Sequence, residues 1–136
     1  GLPLMLKGIQ SVEDAKRAAE LGVDAIALSN HGGRQYDGAP APVALLPRVV
    51  DAVGNSIEVL VDGGVRRGSD VVKACALGAR AVMFGRPYLY GLGAGGELGV
   101  RWAIDHITSG VTRTMGLIGE TSIRNLSAGV VTRVRD

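Results

Sequence analysis

The sequence is poor in cysteine and in aromatic side chains: Cys75 is the single thiol, and Phe, Trp and Tyr together make up 4% of the chain. One cysteine excludes an internal disulfide and a cysteine-built zinc cluster, and no metal site is expected. No apolar run approaches the length needed to cross a bilayer, so the expectation is a soluble protein, cytoplasmic or peripheral on the cytoplasmic membrane face. No signal-peptide pattern is present, and the start at Gly1 without an initiator Met is expected to be a processing boundary. A strong charge of one sign is missing too. Fifteen basic and 13 acidic residues leave a formal +2, and the pair Arg66-Arg67 is too short a basic run to imply nucleic acid.

What the chain has is glycine and small aliphatics. Twenty-one glycines and 46% hydrophobic residues in 136 positions point to tight turns and close backbone approaches around one core. Four short apolar runs read as strands: Leu4 to Leu6, Ala25 to Leu28, Ile57 to Val61 and Ala81 to Phe84. They are near-continuous rather than alternating, as in parallel strands covered on both faces. A helical pattern follows each one. The first starts at the cap Ser11, with Asp14 three residues on, carries a stripe of Val12, Ala15 and Ala19, and stops at Gly22. The second runs from Pro42 to Val53, where the internal Pro47 would sit best near the first turn. Ser69 is the expected cap of the third, which stops at Gly78. The fourth is expected from about Gly96 to Thr114, with at most one more turn in the tail after Met115.

Residues 19–26 (AELGVDAI) and 75–82 (CALGARAV) share a helix end, a Leu-Gly turn and a strand start. The same helix-to-strand corner is therefore used twice. Strand then helix, four times over, implies a parallel sheet with right-handed crossovers. A doubly wound open sheet and part of a (βα)8 barrel both satisfy that pattern.

Ligands in parallel α/β folds bind at the carboxyl ends of the strands. All four strands end in chemically notable residues: Lys7-Gly8, then Ser29 to Arg34, then Asp62-Gly63-Gly64-Val65-Arg66, then Gly85-Arg86-Pro87. In the last two, glycines let backbone N–H groups approach an anion, and Arg66 and Arg86 offer forked donors suited to phosphate. Either loop alone reads as turn glycines with solvated arginines. The pair, separated by one helix, favours a phosphate site of the kind found after strands seven and eight of a (βα)8 barrel. The four strands would then be the fifth to eighth, and the chain half of a barrel that needs about 250 residues. In the second loop His31 is suited to general-base work near neutral pH, and Arg34 to gripping a substrate carboxylate. A lone loop histidine more often satisfies a backbone carbonyl. Lys7 reads either as a surface lysine or, following three apolar residues at the rim, as a buried cation that would stabilise developing negative charge. Cys75 reads as a buried small hydrophobe, His106 as exposed, and Trp102, Tyr88 and Tyr90 as packing residues.

The segments Leu6-Lys7-Gly8, Ser29-Asn30-His31-Gly32-Gly33-Arg34-Gln35, residues 62–68 (DGGVRRG) and Gly85-Arg86-Pro87 resemble the FMN-dependent 2-hydroxy acid dehydrogenases and oxidases. That family includes L-lactate, glycolate and mandelate enzymes. The resemblance runs through residues 1–136, and the Ser-Asn-His-Gly-Gly-Arg-Gln string is its most specific part. It implies an α/β fold, the C-terminal half of a TIM barrel (strands 5–8 with their helices), and a flavoprotein oxidoreductase that oxidises a small L-2-hydroxy acid such as lactate. By resemblance, His31 would be the active-site base and touch the substrate, and Arg34 would clamp the substrate carboxylate. Lys7 would lie near flavin N1 and the C2 carbonyl, Ser29 would contact the ring, and Asp62 the ribityl chain. Gly63, Gly64, Val65, Arg66, Gly85 and Arg86 would hold the FMN phosphate end.

The resemblance also implies that the family's first barrel half, with substrate-flanking tyrosines and an aspartate that pairs with the histidine, lies outside this chain. The chain alone is therefore expected to be incomplete and to need that N-terminal half, as a separate chain or a missing segment, with homo-oligomerisation of the complete enzyme. The alternatives are another FMN-binding TIM-barrel enzyme, or an inactive half-barrel fragment that associates with a partner chain.

Overall fold

The computed structural model describes residues 1–134 as a four-stranded parallel sheet in the order β1-β2-β3-β4, with a helix after each strand. The strands are β1 (Met5–Ile9), β2 (Ala25–Ser29), β3 (Glu58–Asp62) and β4 (Ala81–Met83). The helices are α1 (Val12–Glu20), α2 (Pro42–Val53), α3 (Gly68–Ala76) and α4 (Arg86–Leu117). Sequential strands are spatial neighbours throughout, so no strand reverses the sheet order as a doubly wound fold requires. The arrangement is four consecutive βα units of a (βα)8 barrel.

Register divides the sheet into two faces. Lys7 pairs with Ala27 and Ala27 with Leu60, while Ser29 pairs with Asp62. Because side chains alternate along a strand, Ile26, Leu28, Val59 and Val61 point to the helices. There they pack with Val12, Ala15, Ala18, Leu46, Val49 and Val53 as the core, and Leu46 and Val49 are wholly buried. The other face carries Met5, Lys7, Ala27, Ser29, Leu60 and Asp62, and among the described residues no helix packs on it. Near-continuous apolar strands suggested two covered faces. Only one is covered here, and at the β1 edge Leu2, Leu4, Met5 and Leu6 stand 36–94% exposed.

The helix boundaries follow local chemistry. Ser11 caps α1 as expected: its Oγ accepts from the Asp14 N–H at 3.0 Å and donates to the Asp14 carboxylate at 2.8 Å. Ala18 is buried with Val12 and Ala15, and the expected Ala19 packs beside them only partly buried. Gly22 and Gly78 both take left-handed φ and close identical corners. Gly22 N–H donates to the Ala19 carbonyl and Val23 N–H to that of Ala18; Gly78 and Ala79 repeat this with Cys75 and Ala74. That is the physical content of the internal repeat.

Three helix expectations need correction. Helix α3 starts at Gly68 with Arg67 as its N-cap, not at Ser69, because the Asp70 carboxylate folds back to accept from the Arg66 and Arg67 N–H groups, each at 3.0 Å. Pro47 lies in the second turn of α2, where burial of Leu46 and Val49 on either side outweighs one lost backbone bond. Helix α4 starts ten residues earlier than expected, at Arg86, and turns sharply where Gly95 and Gly96 leave helical geometry. Gly96, with φ 58 and ψ −137, adopts a conformation open only to glycine. The tail has two 3-10 turns, Ile123–Asn125 and Ala128–Val130, rather than one.

Candidate active site

Strand ends and loops converge on one rim, as the parallel order requires. At its centre the Lys7 ammonium meets the Asp62 carboxylate at 2.6 Å. Ser29 lies between them on β2 and is wholly buried. Its Oγ donates to Asp62 at 2.8 Å and accepts from Lys7 Nζ at 3.3 Å. The same oxygen accepts the backbone N–H of His31 at 3.1 Å, so one hydroxyl ties three strand ends to the histidine loop. Lys7 is 37% exposed rather than buried, because the sheet face it stands on is uncovered.

The histidine loop is a single 3-10 turn, His31–Gly33, in a left-handed run. His31 itself has φ 54, the one non-glycine residue with positive φ among those described, followed by Gly32 at 71 and Gly33 at 78. Asn30 Oδ1 accepts from the Gly32 N–H at 3.0 Å, a local side-chain turn that offsets the cost of this backbone. His31 and Arg34 are both exposed on the rim. Among the described residues no carboxylate pairs with the His31 imidazole.

Beside this loop lies a cavity of about 380 Å³ lined by both glycine loops, with His31 and Arg34 at its mouth. Gly63, Gly64, Val65, Arg66, Gly85 and Arg86, the expected phosphate residues, all line it, together with Asp62, the expected ribityl contact. Val65 does so with its side chain buried. Phe84, Pro87 and Leu89 also line it; Phe84 and Leu89 were missed, since apolar residues at a strand end carry no signal distinct from core. Arg86 does more than expected, because its Nη2 donates to the Gly32 carbonyl at 3.2 Å and ties the last loop to the histidine loop.

The lining suits an FMN phosphate. A Cβ added at Gly64 or Gly85 would meet nothing within 4 Å, so both backbones face open cavity. Among the described residues the N–H groups of Gly64, Val65 and Gly85 donate to no other group. Helix α4 starts at this point, and its N-terminal dipole favours an anion there.

A family model described as FMN-dependent dehydrogenase matches residues 1–133. The chain belongs to the FMN-dependent dehydrogenase family. It is 55% identical over 127 residues to a pre-mycofactocin synthase of Mycobacterium tuberculosis, covering 93% of this chain and 32% of the relative. It is 53% identical over 132 residues to a putative L-lactate dehydrogenase of the same organism, covering 97% and 32%. Among solved structures, the monotopic membrane protein (S)-mandelate dehydrogenase superposes with a TM-score of 0.93 at 45% identity, covering 97% of this chain and 35% of that one. The chain thus spans about a third of the length of the curated relatives it matches. No helix among the described residues is long and apolar enough to cross a membrane.

The residues outside the rim are readily placed. Cys75 is half-buried rather than fully buried as expected, because it lies at the last turn of α3, and that burial pushes its thiol pKa up. His106 is exposed as expected, stacked on Trp102 with ring centroids 5.3 Å apart. The packing expectation for the aromatics is not met within this chain: Trp102 is 67% and Tyr90 73% exposed, because α4 carries them on the side away from α3 and the sheet.

Proposed function

We propose that this chain is the strand 5–8 half of a (βα)8 flavoenzyme that oxidises a small L-2-hydroxy acid, lactate being the simplest case, to the 2-oxo acid. The observation that carries this reading is the single rim holding Lys7, His31, Arg34 and Asp62 beside a glycine-lined anion cavity. Gly63, Gly64, Val65, Arg66, Gly85 and Arg86 would hold the phosphate of FMN, Asp62 its ribityl chain, and Ser29 and Lys7 its ring. FMN, when bound, supplies the two-electron acceptor. Arg34 grips the substrate carboxylate through two parallel hydrogen bonds and so fixes the Cα–H bond in one orientation. His31 takes the proton that the substrate loses as that bond is oxidised, in either a hydride or a carbanion route. The Lys7 cation, held by Asp62 and Ser29, would stabilise negative charge developing on the flavin.

The carboxylate that would steady the protonated His31 comes from outside this chain, as does the rest of the barrel. The uncovered sheet face and exposed β1 edge support that N-terminal half as the partner, with homo-oligomerisation of the complete protein. We place the complete protein in the cytoplasm or peripherally on the cytoplasmic membrane face.

The test is anaerobic flavin reduction in the full-length protein, followed at the flavin absorbance with L-lactate, glycolate and L-mandelate. One of these acids should bleach the flavin, and His31→Gln should slow bleaching by about 10²–10⁴-fold with FMN still bound. The 55% identity to pre-mycofactocin synthase supports a second reading, in which the full protein makes that synthase's product. Flavin that none of the three acids reduces would sink the first reading and leave the second.

A further inference from the structure

We propose that Gly8 is a positioning residue for the His31 imidazole, acting through a bulge in β1 that opens space for the ring. This deepens the reading of His31 as the base and rests on it. The β1–β2 register runs one to one through Lys7 and Ala27, then skips, so that Ile9 pairs with Leu28 and Gly8 is left without a partner. The bulged residue has φ 109, a conformation that disfavours any side chain. Across from it stands the imidazole. A Cβ built on Gly8 would lie 2.8 Å from His31 Nε2 and 3.3 Å from Cε1, inside van der Waals contact.

Three constraints thereby meet on one ring. The backbone of His31 is held in a left-handed conformation, and its N–H is bound to Ser29 Oγ. The bulge supplies a flat, side-chain-free floor beneath the nitrogen edge. The same skip separates two roles on adjacent residues: Lys7 keeps its register and its ion pair to Asp62, while Gly8 turns its backbone toward the histidine. A regular strand could not do both, since consecutive residues point to opposite faces. The device therefore sets base and flavin-side cation at a defined separation without using a side chain at position 8.

The test uses the full-length flavoprotein and a double-mutant cycle on flavin reduction. In the otherwise unaltered protein Gly8→Ala should lower the reduction rate by roughly 10²-fold, the cost of a misplaced base, with FMN content retained. In the His31→Gln background the same change should cost less than about 3-fold, because there is no imidazole left to displace. Equal losses in both backgrounds would overturn the proposal. Gly22→Ala, at a left-handed glycine whose added Cβ meets nothing, controls for backbone strain and should leave the rate unchanged; a comparable loss there would also overturn it. A readout free of activity is a nuclear Overhauser contact between a Gly8 Hα and the His31 ring protons in the unaltered protein, assigned by its loss in His31→Gln. Its absence in the unaltered protein rejects the packing itself, whereas its presence in a protein that no 2-hydroxy acid reduces would leave the packing standing and remove only the assigned reaction.

Discussion

Among the described residues the two ends of the sheet each hold one ion pair, and they differ in what surrounds it. At the carboxyl ends, Lys7 and Asp62 meet at 2.6 Å with side chains 37% and 18% exposed, bridged by buried Ser29. Toward the amino ends, Arg80 and Glu58 meet at 2.9 Å but are 64% and 57% exposed. The amino end also has the larger cavity, about 530 Å³ against about 380 Å³, yet its lining comes from helix-to-strand corners and the tail. It has Schellman corners at Gly22 and Gly78 and the Asp24 carboxylate accepting the Leu4 N–H at 2.7 Å, all of which tie chain segments together. One end is built from groups that satisfy each other. The other, among the described residues, leaves the N–H groups of Gly64, Val65 and Gly85, the His31 imidazole and the Arg34 and Arg66 guanidinium groups without a partner. The larger of the two voids lies at the amino end, whereas the unspent polar groups lie at the carboxyl end, where the candidate site is proposed.

Three substitutions in the full-length protein sharpen that contrast. The largest effect is expected from Lys7→Met, which removes the rim cation and strands the Asp62 carboxylate. Flavin reduction should slow by roughly 10²–10³-fold, read by stopped-flow absorbance. A loss under threefold would mean that the rim pair is no more than a structural tie. Next comes Gly64→Val, which puts a branched side chain into the open cradle at a φ of 77. FMN affinity should weaken at least about tenfold, or about 1.4 kcal/mol, in a flavin-fluorescence titration; unchanged affinity would take the phosphate away from this loop. The smallest effect belongs to Glu58→Gln at the opposite end. An exposed pair is worth about 0–1 kcal/mol, so the melting temperature should move by a few degrees at most and the reduction rate should not change. A rate effect there would erase the distinction between the two ends.

Much of the candidate site could be read directly because its residues are chemically unlike their neighbours. Lys7, His31, Arg34, Arg66 and Arg86 each follow an apolar strand or a glycine turn, and strand-then-helix order puts all of them on one rim. The corners at Gly22 and Gly78 were legible as a repeat, since both need the same left-handed residue after the same helix end. Harder to see was α4. Its first segment is rich in glycine and aromatics, a composition that reads as loop, and it becomes helical because Pro87 suits a first turn and the backbones of Gly91 and Gly99 pack directly together. The start of α3 was misplaced because Ser69 is the stronger cap by type, whereas Asp70 binds the two N–H groups ahead of it. The skip at Gly8 has no sequence signature beyond one glycine in a chain with 21 of them.

By itself the sequence determined the parallel βα alternation, the rim and the identity of the groups on it, because strand polarity and residue chemistry are both local properties. Only tertiary structure decided which groups spend their hydrogen bonds on one another. Ser29 serves Lys7, Asp62 and His31 at once, Arg86 reaches back 54 residues to Gly32, and the bulge at Gly8 clears the floor beneath the histidine. Those contacts depend on the register between neighbouring strands, which is set by packing across the whole sheet rather than by any single segment.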